Sequence, residues 1–184
     1  MSTRQQDNKT LATPDNKTTS QRVISQSRGL VDSWTRRLVD SWTCSLKKKN
    51  MRTITEIIIH CSATKEGKSF RAADIDRWHR EKGYRMIGYH YVILIDGTIE
   101  SGRPLEQAGA HCQGHNAHSI GICYIGGLDH YGKPKDTRTK QQRHAMKQLI
   151  DELQTRFPNA TVHGHREFAN KDCPCFDVAS PDEG

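Results

Sequence analysis

Thr55-Glu56-Ile57-Ile58-Ile59-His60 sets three consecutive isoleucines between polar residues. A β-branched run without in-out alternation is the pattern of a strand buried on both faces, and its polar end is where such a strand reaches the edge of a sheet. A strand over 55–60 buried in this way needs partner strands on both sides and helices above and below.

The segments that follow supply them. Ser69 is placed to cap a helix with Ala72, Ile75 and Trp78/His79 on one face, and Gly83 is placed to stop it. A second strand is expected over 89–95, turned by Asp96-Gly97 into 98–101 as a hairpin. A third strand is expected over 119–125, closed by Gly126-Gly127. Thr139-Lys140-Gln141-Gln142 has the form of a capping box, and it opens a helix with Met146, Leu149, Ile150 and Leu153 on its buried stripe, ended by Pro158. A short strand over 160–162 leads into a polar loop over 163–177. Interleaved strands and helices with one hairpin predict an α+β (mixed α/β) fold: a central mixed β-sheet flanked by helices, in a single domain over 51–184.

Residues 1–50 read differently. They hold ten Lys/Arg against four Asp/Glu, a net of +6 out of the chain's +7, so the remainder is close to neutral at +1. The pI near 9.2 is therefore a property of the leader, and no nucleic-acid partner is expected for the domain. Asp-Asn-Lys-Thr recurs at 7–10 and 15–18, and Leu-Val-Asp-Ser-Trp-Thr at 30–35 and 38–43. Two copies at a period of eight cannot bury a shared core, so a disordered leader is expected, with Met51 the start of the functional protein. Trp34 and Trp42 could alternatively mark an amphipathic helix. No apolar run approaches the roughly 18–20 residues of a membrane span, and the N-terminus lacks a secretory core. Synthesis in the cytoplasm, with reduced cysteines, is expected.

The strand ends carry the chemistry. His60 closes the first strand, Tyr89-His90 opens the second, and His163-Gly164-His165 closes the last. Imidazole and thiolate are the side chains here that bind borderline-soft metals well, and His165 and Cys173 stand eight positions apart in the final loop. His60, on a rigid strand end, is the candidate third ligand. Three protein ligands leave a position open, the pattern of a catalytic site. Cys61, Cys112 and Cys123 are expected as small buried side chains. Cys175 is expected as a packed thiol, though it could compete for the ion or oxidise with Cys173. His115, His118, His130 and His144 read as surface or second-layer residues. His163 is expected to point away from His165, and His90 away from Tyr89 into packing.

His60-Cys61-Ser62-Ala63-Thr64, Gly88-Tyr89-His90-Tyr91 with Asp96-Gly97-Thr98, Gly109-Ala110-His111, Asn116 with Ser119-Ile120-Gly121-Ile122, and Lys171-Asp172-Cys173-Pro174 occur in that order. Together they resemble the zinc N-acetylmuramoyl-L-alanine amidases, including the phage lysozymes of amidase type and the peptidoglycan-recognition proteins, over about residues 54–177. The resemblance implies one Zn2+ per chain on His60, His165 and Cys173, catalytic roles for Tyr89 and Lys171, and a substrate-binding position for His111. It implies hydrolysis of the amide between N-acetylmuramoyl and L-alanine in bacterial peptidoglycan, by a monomer that waits without a signal peptide and meets the cell wall after release, as a phage or prophage endolysin does. A cytoplasmic muropeptide recycler and a non-cutting peptidoglycan-binding protein are the alternatives, although the ligand Cys at 173 favours an enzyme. The phage amidase also binds an RNA polymerase, so a polymerase contact is implied by family analogy alone. Zinc lowers the pKa of a water from 15.7 toward roughly 7. The proton for the leaving amine is unassigned among Tyr89, water and Glu167.

Overall fold

A computed structural model describes residues 52–179. The leader, the Trp34/Trp42 helix and the start at Met51 lie outside the described residues.

The isoleucine run forms β1 (Glu56–Cys61), and its side chains at Ile57, Ile58 and Ile59 are wholly buried. Both edges of β1 are paired: it is flanked by β5 (Ser119–Tyr124) and β7 (Thr161–Gly164), both parallel to it. β3 (Tyr91–Ile93) pairs parallel with β5 and antiparallel with β4 (Ile99–Ser101), which gives a five-stranded mixed sheet in the order β4-β3-β5-β1-β7.

Strand alternation divides the core into two layers. Ile57, Ile59 and Cys61 of β1, Ile120, Ile122 and Tyr124 of β5, and Ile93 of β3 pack with Met146, Leu149 and Leu153 of the long helix α2 (Lys140–Arg156). On the other face Val92 and Cys123 pack with Ile75 of α1 (Ala72–Glu81). The even positions of β1 belong to this second face, so His60 shares it with Ile58 and stands on the side of the sheet that carries α1.

The capping box on α2 is present as expected: the Thr139 hydroxyl accepts the Gln142 N–H and Gln142 Oε1 accepts the Thr139 N–H, each at 3.1 Å. Gln142 goes further. Its side chain is fully buried, and its Nε2 donates to the carbonyls of Ile93 at 3.2 Å and Ile125 at 3.0 Å, tying α2 to two strand ends.

Ser69 does not cap α1. The N-cap is Arg71, whose N–H is accepted by Asp74 Oδ2 at 2.9 Å, while Glu100 Oε2 from β4 accepts the Ala72 N–H at 2.8 Å. A carboxylate is the stronger partner for the positive end of a helix, and Glu100 is brought there by the hairpin, 28 residues away. The second strand is shorter than expected, Tyr91–Ile93, although bonds from the His90 N–H to the Gly121 carbonyl and from the Gly102 and Arg103 N–H groups to the His90 and Tyr89 carbonyls continue beyond it. β7 runs two residues further than expected, and the polar loop after it begins with a 3-10 turn over His165–Glu167. A two-residue parallel pair, β2 (Thr64–Lys65) with β6 (Gly127–Leu128), was not anticipated, since two residues carry no periodicity. Among the described residues no helix is long and apolar enough to cross a membrane.

Candidate metal centre and active site

Three segments deliver the chemistry to one end of the sheet. β1 presents His60, the 3-10 turn after β7 presents His165, and the loop that follows returns Cys173. His60 is 1% exposed and His165 9% exposed. His60 Nδ1 lies 3.8 Å from Cys173 Sγ, the two imidazole centroids are 4.4 Å apart, and one ligand atom from each of the three residues lies within 4.8 Å of the others. Zinc bonds of roughly 2.0–2.3 Å in a tetrahedron hold ligand atoms about 3.3–3.8 Å apart, so this donor set fits a single ion with movements of an ångström or less.

The surroundings suit the same purpose. Cys173 Sγ accepts the Cys61 N–H at 3.3 Å, which holds the sulfur against the end of β1. Burial pulls the His60 pKa well below its ordinary value, with His111, His165 and Lys171 adding to the effect. Burial, then Lys171, lowers His165 as well. Both rings are therefore neutral at neutral pH and keep a lone pair for a metal. His60 turns Nδ1 toward Cys173, and its Nε2 lies 3.0 Å from His111 Nδ1, so a metal held on Nδ1 would leave the ring proton on Nε2. His111 Nε2 in turn faces Ser119 Oγ at 3.4 Å.

A cavity of about 300 Å³ opens on this group, lined by His165, Cys173, Lys171 and Tyr89 together with Trp78, His79 and Lys82 of the α1 segment. The Tyr89 ring is 5.1 Å from that of His60. Burial holds its phenol well above the usual pKa, so it stays a proton-bearing donor, and the nearby thiols of Cys123, Cys173 and Cys61 act in the same sense. Gly88 fixes where Tyr89 begins, because its N–H is bonded to His79 Nδ1 at 2.9 Å and its Cα presses against the Ala110 carbonyl, leaving no room for a Cβ.

The five expected positions, His60, Tyr89, His165, Lys171 and Cys173, thus converge. His111, expected at the substrate, does not line the cavity; it stands behind His60. Glu167 also faces elsewhere: its carboxylate accepts the Gly164 N–H at 2.5 Å and meets His163 Nδ1 at 2.7 Å. His163 is in register with Ile58 and so shares the His60 side of the sheet; residues two apart on a strand face the same way, so the expected opposition of His163 and His165 does not follow from alternation. His90 is buried at 1% exposure. Cys61, Cys112 and Cys123 are buried, and Cys175 packs with its Sγ 3.6 Å from Cys61 Sγ. The lining by His79 and Lys82 was not foreseen. The helical period sets His79 beside Trp78 on the packed face and says nothing of Lys82, and no local pattern shows that this face meets a cleft.

A His/His/Cys cluster at the end of an interior strand, opening on a cleft with a lysine and a tyrosine, has the donor set that a metal-dependent hydrolase domain uses. The model of the family described as N-acetylmuramoyl-L-alanine amidase matches residues 50–176, and the chain belongs to that family. The endolysin of Enterobacteria phage K11 is 39% identical over 124 residues, which cover 67% of this chain and 82% of that protein. In solved structures, the amidase LysC from Clostridium intestinale matches with a TM-score of 0.60 at 27% identity, covering 71% of this chain and 81% of its own. A Drosophila PGRP-LB variant in complex with tracheal cytotoxin matches at 0.59 and 28%, covering 67% and 76%.

Proposed function

We propose that the protein is a zinc-dependent endolysin that hydrolyses the amide between N-acetylmuramic acid and the L-alanine of the stem peptide, with one zinc ion held by His60, His165 and Cys173. The observation that carries this reading is the convergence of that triad with Lys171 and Tyr89 on one cavity in a chain of the amidase family. The ion supplies Lewis acidity toward water and toward the scissile carbonyl.

The chain's own residues do the rest. Lys171 brings a positive charge and the Tyr89 phenol a neutral hydrogen-bond donor to the cavity, where negative charge gathers on the amide oxygen as the carbon becomes tetrahedral. Donors already in place stabilise that oxygen without reorganisation. Trp78 and His79 form an aromatic wall for the sugar and peptide, and Lys82 beside Lys171 makes the cavity mouth cationic, which suits the carboxylates of a stem peptide. Glu167 is committed to Gly164 and His163, which leaves Tyr89 and water as the sources of the leaving amine's proton. The substrate is peptidoglycan or its muropeptide fragments, reached by the endolysin when the wall becomes accessible.

Digestion of purified peptidoglycan with and without a chelator tests this. The expected products are freed L-alanine amines, lost on chelation and restored by zinc. New reducing sugar ends would instead mark a glycosidase and overturn the assignment, and binding without release would mark a recognition protein.

A further inference from the structure

At the opposite end of β1 from the triad a second set of metal-binding side chains converges. Glu56 opens the strand, and four residues of strand rise, roughly 13 Å, separate it from His60. His115 Nδ1 lies 2.9 Å and His118 Nε2 3.5 Å from the same oxygen, Glu56 Oε2. One ligand atom from each of the three lies within 4.8 Å of the others. We propose that Glu56, His115 and His118 bind a second, borderline-soft divalent cation of the zinc, cobalt and nickel group, at a structural site distinct from the catalytic one.

Two imidazoles and a carboxylate are a sufficient protein ligand set for such an ion, and water would complete the sphere. The 3.5 Å contact of His118 falls in the range of ligands about one ion, the 2.9 Å contact of His115 needs to lengthen by about 0.4 Å, and one shared carboxylate oxygen aligns both rings. The backbone holds the three in place. The His118 carbonyl accepts the N–H groups of Thr55 and Glu56, and the His118 N–H bonds to the His115 carbonyl. Arg52 ties the same loop down through the carbonyls of Asn116, Ala117 and Ser119. All three side chains are only half-buried, with the His118 side chain 41% exposed, so a cation reaches them directly from solvent. The His115 ring packs on Phe168, centroids 4.0 Å apart, and Phe168 lies between His165 and Cys173. An ion here therefore braces the loop that carries His111 against the segment that carries the catalytic ligands.

The test uses the full chain, stripped by chelation and dialysed against micromolar zinc, with metal counted by elemental analysis. Two zinc ions per chain are expected for the wild type. One is expected for Glu56→Gln and for His118→Ala, both retaining amidase activity, and one for Cys173→Ser, which loses activity. Cobalt titration gives an independent reading: the second equivalent should add ligand-field absorption without thiolate-to-cobalt charge transfer, since no cysteine is in the set. A wild type that saturates at one ion, or a second ion that persists in both Glu56→Gln and His118→Ala, would overturn the proposal. Neither result bears on the triad, whose loss Cys173→Ser reports separately.

Discussion

His60 Nε2 lies 3.0 Å from His111 Nδ1. The ring that faces the metal position with one nitrogen is thus oriented by a second imidazole on the other. Such partners fix the tautomer of a metal-binding histidine, and their removal typically costs 10- to 100-fold in metal affinity. His111→Ala is expected to weaken zinc binding by about that factor, measured by competition with a chromophoric chelator, and excess zinc should restore most of the activity. If His111 contacts substrate instead, zinc affinity will be unchanged and KM will rise.

Gly121 gives the same arrangement a second test. A Cβ there would stand 2.6 Å from the His111 ring, which is pinned between the β5 backbone and His60. Gly121→Ala is expected to displace the ring and reproduce the loss of zinc affinity seen with His111→Ala, in a protein whose circular dichroism is otherwise unchanged.

Lys171→Ala and Tyr89→Phe are each expected to lower kcat on peptidoglycan by about 100- to 1,000-fold, the usual cost of one oxyanion donor. Zinc content should remain at the wild-type level, because neither residue is a ligand. Retained turnover in either variant would remove that residue from the chemistry.

His90 predicts how stability depends on pH. It is 1% exposed, its Nδ1 accepts the Gly121 N–H at 3.0 Å, and burial lowers its pKa to about 4. The unfolded chain, with an ordinary histidine near 6.5, takes up the proton first as the solution is acidified. The contribution is therefore complete above about pH 6.5 and is lost as pH falls through 4, to the extent of about 3 kcal/mol. Denaturant midpoints from pH 7.5 to 4 should fall more steeply for the wild type than for His90→Gln. Parallel profiles would show that His90 is not the group responsible.

Gln142→Ala is expected to destabilise the fold by about 2–3 kcal/mol, since it strands the Thr139 N–H and two carbonyls that the buried amide now satisfies. Urea unfolding checks this, and a change below about 0.5 kcal/mol would mean that water replaces the amide.

Much of this was legible in the residues. β1 announced itself because a fully buried central strand has no polar alternation, and α2 because its capping box and apolar stripe agree. The clustering of His60, His165 and Cys173 was legible because imidazole and thiolate at strand ends are chemically distinctive. What stayed hidden depends on pairing across the chain. Glu100 caps α1 from 28 residues away, and no local pattern distinguishes it from the nearer Ser69. His111 carries the same side chain whether it meets substrate or His60, and only the slot over Gly109 and Gly121 decides. His79 and Lys82 reached the cleft through the packing of α1, which the helical period leaves open.

The parallel pairing of β1 with both β5 and β7 also constrains the order in which the molecule can become active. Of the described strands β1 is synthesised first, and its two neighbours in the sheet follow some 60 and 100 residues later. Contacts of such long sequence separation form late and slowly. His60 therefore waits for His165 and Cys173, both within the last fifteen described residues, and a chain cut short before Cys173 lacks the full cluster. A wall-degrading enzyme built this way stays inert in its unfinished and prematurely terminated forms.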